Sequence, residues 1–136
     1  MLFTRESDYG IRVLRYLADG QIRQVAQICK AGDIPKQYCY KIMKKLEVAN
    51  LVESKRGRDG GYRMVRPVDS FSLLDVIMAV DEKFALMHCL DGDVPCPLNS
   101  DGAICYVHLE FARIQDILER ELNKVPFNDL LPPTRF

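Results

Sequence analysis

Five residues, Gly57-Arg58-Asp59-Gly60-Gly61, separate two short runs, Leu51–Arg56 and Tyr62–Arg66. A glycine-dense segment of this length between strand-forming runs reads as a β-hairpin turn, because glycine accepts backbone angles that other residues avoid. Three helical segments precede it. Thr4–Ala18 places Gly10, Val13, Leu14, Leu17 and Ala18 on one face, with Arg5, Arg12 and Arg15 off it, and Asp19-Gly20 ends it. Gln24–Ala31 is a short helix with Val25, Ile28 and Cys29 apolar, and Gly32-Asp33 supplies a turn. Pro35 suits the first position of a third helix, where its missing N–H has no partner to lose. That helix runs to about Ala49, with Tyr38, Ile42, Leu46 and Ala49 at helical spacing and Asn50 capping its end.

Helix, short helix, turn, helix and hairpin is the order of a winged helix-turn-helix, whose recognition helix enters the DNA major groove. On this reading Lys36, Gln37, Tyr40 and Lys41 face base edges, with Gln37 suited to adenine and Lys41 to guanine or phosphate. Lys44 and Lys45 are expected at phosphates, which position a protein without reading sequence. In the hairpin, Lys55, Arg56 and Arg58 flank the glycines, with Arg63 and Arg66 on the return strand. A small basic tip can meet phosphates or enter a narrow, electronegative minor groove.

Charge supports this division. The formal net charge is zero, yet residues 1–68 carry 14 Lys/Arg against 7 Asp/Glu and residues 69–136 carry 5 against 12. A basic half followed by an acidic half fits a polyanion-binding module, residues 1–68, joined to a region of different purpose, residues 69–136. With 48% hydrophobic residues the chain can bury a core. The acids near its start do not suit a signal peptide, and no run is long enough to span a membrane, so a cytoplasmic protein is expected.

In the second half, Ser70 or Ser72 can cap a helix carrying Leu74, Ile77, Met78 and Val80. Met87–Gly102 is a polar loop. A long helix is predicted over Ala103–Lys124, with a further turn at Asn128–Leu131 and a frayed tail, Pro132–Phe136. Ile104, Val107, Phe111, Ile114, Leu118 and Val125 recur at steps of three, four, three, four and seven. That stripe suits either packing along another helix, as in a homodimer, or cover for the chain's own core. The expected fold is therefore mostly α with a small β-hairpin: a winged helix-turn-helix plus a long C-terminal dimerisation helix.

Several stretches resemble the Rrf2 family of bacterial transcription regulators. They are Thr4-x3-Asp8-Tyr9, Ile34-Pro35-x2-Tyr38, Leu46-x3-Asn50-Leu51-Val52, Ser54-x-Arg56-Gly57-x2-Gly60-Gly61-Tyr62, and Leu73-x2-Val76-Ile77-x-Ala79-Val80-Asp81. The resemblance covers about residues 1–131. It implies a homodimer on a pseudo-palindromic double-stranded DNA operator, recognition by the third helix and wing, and often a sensing cofactor held by cysteines.

Five cysteines, an odd number, argue against a disulfide framework. Cys89, Cys96 and Cys105 stand seven and nine positions apart around the polar loop. Thiolates are soft ligands that suit iron–sulfur clusters, zinc or copper(I), and the close cysteine pairs of most zinc sites are missing. Resemblance to the cluster-binding IscR-like and NsrR-like branch favours an iron–sulfur cluster, with 2Fe-2S and 4Fe-4S both open. Three cysteines leave one ligand to find. His108, three residues after Cys105, shares its helical face, and IscR-like members place a histidine there. NsrR-like members use an aspartate matching Asp8, donated across the dimer. His88, beside Cys89, is a third candidate. Cys29 is expected in the core, and Cys39 either packs or responds to oxidants.

Two rivals stand beside this reading. One is a cluster-free regulator, as in the CymR branch, sensing through thiols or a protein partner. The other is a small redox or electron-transfer protein, which leaves the basic hairpin and the charge split unexplained. No Ser/His/Asp set, phosphate-binding loop or paired acid–base carboxylates stand out, so an enzyme is not expected.

Overall fold

The computed structural model describes residues 3–92, 95–99 and 102–133. Residues 93, 94, 100 and 101 of the expected loop, and 134–136 of the expected tail, lie outside the described residues. Helices α1 (Arg5–Leu17), α2 (Val25–Gly32) and α3 (Lys36–Val48) are followed by an antiparallel hairpin, β1 (Val52–Lys55) and β2 (Gly61–Met64). Then come α4 (Leu73–Val80) and α5 (Tyr106–Lys124), with short 3-10 turns at His88–Leu90, Pro97–Asn99 and Phe127–Leu130.

Local chemistry sets these boundaries. Thr4 Oγ1 accepts from the Glu6 and Ser7 amides, satisfying two donors that the first turn of α1 leaves without intrahelical partners. Pro35 falls at the cap of α3 rather than inside it. Asn50, with φ 56°, ends α3: its amide donates to the Glu47 carbonyl and that of Leu51 to the Leu46 carbonyl, a Schellman arrangement. Of the two serines offered as caps for α4, Ser72 is the one used, in a reciprocal box with Asp75.

The hairpin pairs Val52 with Met64 and Lys55 with Gly61. A third extended segment joins it, because the Arg23 amide donates to the Tyr62 carbonyl at 2.9 Å and the Tyr62 amide to the Arg23 carbonyl at 2.8 Å. Only glycine fits position 61: φ is +153°, and a Cβ there would sit 2.2 Å from the Arg23 carbonyl oxygen. The wing is thereby pinned against the segment that precedes α2.

Val13, Leu14 and Leu17 of α1 meet Ile28 of α2, Ile42, Met43 and Leu46 of α3, and Leu51, Val52 and Met64 of the hairpin. Phe71, Val76, Val80 and Phe127 belong to the same core, which therefore runs across the expected boundary at residue 68. A Cβ on Gly10 would lie 3.0 Å from Val80 Cγ1, so α1 and α4 approach closely. After α5 the chain returns to this core: the Phe127 amide donates to the Phe71 carbonyl, and the two rings stack 5.1 Å apart.

Three expectations need correction. The last helix starts at Tyr106, not Ala103, because Gly102 is left-handed (φ 80°) and Cys105 is extended. On α3 the buried side chains are Cys39, Ile42, Met43 and Leu46, while Tyr38 is exposed. On α4 Val76 is fully buried, and Met78 points outward. Helix α5 has no buried residue along its 19 positions, and Val107, Leu109, Ile114 and Ile117 are exposed.

Candidate nucleic-acid interface and cysteine cavity

Lys36, Gln37, Tyr40, Lys41 and Lys44 of α3 are exposed, as are Lys55, Arg56 and Arg58 around the hairpin tip. The structure thus brings the expected reading helix and wing to the surface with their basic side chains outward. Arg63 and Arg66 are engaged locally: Arg63 pairs with Glu53 across the strands, and Arg66 donates to the Ser70 carbonyl and lies over the Phe71 ring. Lys45 also turns inward. Its Nζ donates to Glu6 Oε2 at 2.6 Å and to the Val80 carbonyl at 2.7 Å. Lys41 Nζ reaches the other oxygen of the same carboxylate at 2.5 Å. Burial pushes the Glu6 carboxyl up, but the bonds and charges of Lys41 and Lys45 outweigh it and leave it below its ordinary value.

Glu6 was not legible as part of this face, since it lies 35 and 39 residues from its lysine partners and belongs to no local motif. Cys39 is fully buried in the core, and burial, reinforced by contact with Cys29, pushes its thiol up to about 12. Its full burial in the core suits the packing alternative for Cys39. Cys29 is partly buried against the same core.

The second feature lies at the base of α5. Cys89 sits in the turn His88–Leu90, Cys96 just before the turn Pro97–Asn99, and Cys105 at the N-cap of α5, with His108 in the helix's first turn. These elements line an open, largely apolar cavity of about 680 Å³, bordered by all three cysteines, both histidines and Phe111. Its wall is held from behind: the Leu86 amide donates to Gln115 Oε1 at 2.9 Å, and Gln115 Nε2 donates to the Phe84 carbonyl at 3.1 Å. Among the described residues, His108 Nδ1 is buried without a hydrogen-bond partner. A buried imidazole nitrogen left this way is costly unless something binds it. Among the described residues, no three His, Cys, Asp or Glu side chains converge tightly enough to hold a single metal ion. Asp8 is on the exposed face of α1, paired with Arg12 at 2.9 Å, and does not line this cavity.

A family model described as an iron-dependent transcriptional regulator, Rrf2, matches residues 3–133. The chain belongs to the Rrf2 family. Protein aau3 of Rhizobium meliloti is 34% identical over 101 residues, covering 72% of this chain and 66% of that protein. The regulator IscR of Cereibacter sphaeroides is 30% identical over 118 residues, covering 78% of this chain and 76% of that one. The matched part of the chain spans about two thirds of the length of the first curated relatives. Among solved structures, T. potens IscR superposes with a TM-score of 0.71 at 18% identity, covering 93% of this chain and 83% of that one. CymR of B. subtilis superposes equally well, at 0.71 and 21% identity, covering 94% of each chain. At such identities these likenesses concern the fold alone. Rrf2 is a family of transcription regulators, not of enzymes. Among the described residues, no helix is long and apolar enough to cross a membrane.

Proposed function

We propose that this Rrf2 regulator is a homodimer whose affinity for a pseudo-palindromic operator depends on an iron–sulfur cluster held by Cys89, Cys96, Cys105 and a fourth, non-cysteine ligand. The observation that carries this reading is the cavity: three thiols and His108 line one apolar space, and the buried Nδ1 of His108 has no other partner among the described residues. This donor set fits the group, since thiolates suit iron–sulfur clusters and imidazole can replace a thiolate on iron. Asp8 of the partner subunit is the alternative fourth ligand. Bound there, a cluster would supply sensitivity to redox state, nitric oxide or iron–sulfur supply.

The chain's own residues do the rest. Gln37 and Lys36 on α3 reach base edges, Lys44 and the wing's Lys55, Arg56 and Arg58 meet phosphates, and two copies set the half-site spacing. The unburied apolar face of α5 is the surface that a second copy would cover. The test is anaerobic purification followed by visible absorption, iron and sulfide analysis, and operator binding with and without the cluster. Broad visible absorption with stoichiometric iron and sulfide, lost in Cys89→Ser, Cys96→Ser or Cys105→Ser, is expected. Colourless protein carrying stoichiometric zinc overturns the cluster.

A second reading, a cluster-free regulator sensing through these thiols, draws on the lack of a tight ligand group among the described residues. Colourless, metal-free protein whose operator binding changes on reversible thiol oxidation would favour it.

A further inference from the structure

The first turn of α1 touches both the recognition helix and the segment that leads into the cysteine cavity. On one side, Glu6 takes Lys41 Nζ on Oε1 and Lys45 Nζ on Oε2. On the other, Thr4 Oγ1 donates to Asp81 Oδ1 and Ser7 Oγ to Asp81 Oδ2, each at 2.5 Å. Asp81 follows the last residue of α4, and three residues later Phe84 stacks on Phe3, rings 5.9 Å apart and 8° from parallel. Phe84 is in turn tied to α5 through its carbonyl and Gln115. Lys83, between Asp81 and the cysteines, already lines the cavity. Residues 3–7 therefore form a short bridge with a lysine-binding carboxylate at one end and the root of the cysteine loop at the other.

Phosphate binding needs free ammonium groups, and each lysine that neutralises a phosphate adds to the affinity and to its salt dependence. Glu6 competes for two such groups on the recognition helix. Lys45 is the more fully withheld, since its Nζ donates to the Val80 carbonyl as well and only 21% of its side chain is exposed. Lys41, at 55%, is held at the surface. We propose that Glu6 is an autoinhibitory counter-charge that keeps Lys41 and Lys45 from the DNA backbone, and that the Asp81 contacts with Thr4 and Ser7 set its position. The link from Asp81 to the cavity's state rests on the reading of that cavity as a sensor; the restraint by Glu6 does not.

The experiment uses the metal-free chain of residues 1–136 and titrates a DNA operator across a range of salt concentrations. Glu6→Gln keeps the shape and removes the charge. It is expected to tighten operator binding several-fold and to steepen the slope of log K against log salt by about 1–2, roughly 0.9 for each recovered phosphate contact. In a Lys41→Met, Lys45→Met background the same substitution is expected to do nothing. Ser7→Ala and Asp81→Ala should shift affinity in the same direction as Glu6→Gln and add nothing to it when combined. Ser7→Ala, which removes a single hydroxyl, keeps the test decisive if Asp81→Ala fails to fold. Unchanged affinity and slope in Glu6→Gln, or weaker binding, overturns the restraint. Full additivity of Ser7→Ala with Glu6→Gln overturns the link to Asp81. Sensing is judged separately, on the wild type: equal operator affinity with and without the cluster sinks the sensor reading and leaves the Glu6 result standing.

Discussion

His108 lies three residues beyond Cys105, the N-cap of α5, and both side chains line the cavity that also receives Cys89 and Cys96. The expected start at Ala103 would have put Cys105 inside the helix. Its place at the cap makes it the point where an extended segment turns into a rigid one. The imidazole is thus carried by a regular element, whereas Cys89 sits in a turn, Cys96 just before one and Cys105 at a cap.

Substitution distinguishes His108 from Asp8, two of the three candidates for the fourth ligand. His108→Ala is expected to alter the visible spectrum and to shorten the lifetime of the cluster in air at least severalfold, with the helical circular dichroism retained. Asp8→Ala is expected to leave both nearly unchanged, because Asp8 is occupied with Arg12 on the exposed face of α1. The reverse pattern would assign the ligand to Asp8 of the partner subunit.

Cysteine reactivity should divide along the same line. The thiolate is the reactive form, and the Cys39 thiol is fully buried and pushed well above its ordinary value by that burial. In cluster-free native protein at pH 8, iodoacetamide is therefore expected to label Cys89, Cys96 and Cys105 while sparing Cys39, as read by peptide mass spectrometry. Denaturant should make all five equivalent. Rapid native labelling of Cys39 would show that α3 opens far more readily than its packing implies.

Much of this architecture could be read from local signals. Thr4, Pro35, Asn50 and Ser72 each mark a helix end because a cap involves residues only a few positions apart. The Gly60-Gly61 wing was equally legible, although its reason, the approach of the Arg23 carbonyl to Gly61, was not. Periodicity misled where two faces compete. Helical spacing admits Tyr38 as readily as Met43 and Met78 as readily as Val76, because the sequence does not say which of two neighbouring hydrophobic stripes turns to the core. The cysteines were visible from their types and spacing, but the orphaned His108 Nδ1 needed three-dimensional placement. The Glu6 bridge, joining residues up to 39 positions apart, leaves no local trace.

Helix α5 supplies a third prediction. Since none of its residues is buried within the chain, a charge on its apolar face should spare the fold and strike any assembly built on it. Ile114→Glu and Ile117→Glu are expected to keep a cooperative thermal transition near that of the wild type while converting the protein to monomer in sedimentation experiments. Operator affinity should fall at least tenfold, because one winged helix then engages one half-site. A dimer that persists through both substitutions would place the interface elsewhere.

The division of labour on the recognition helix can be tested with Gln37 and Lys44, both exposed on α3. A glutamine amide can pair with the two major-groove positions of adenine, so its loss should cost discrimination, about 1–3 kcal/mol at the base it reads. An ammonium on a phosphate carries no sequence information, so its loss should weaken all DNA alike and lower the salt slope by about 1. Gln37→Ala is accordingly expected to weaken operator binding far more than binding to random DNA, with the salt slope unchanged. Lys44→Ala should weaken both to the same degree. Equal losses on operator and random DNA in Gln37→Ala would remove Gln37 from the reading face and shift base recognition to Lys36, Tyr40 and the wing.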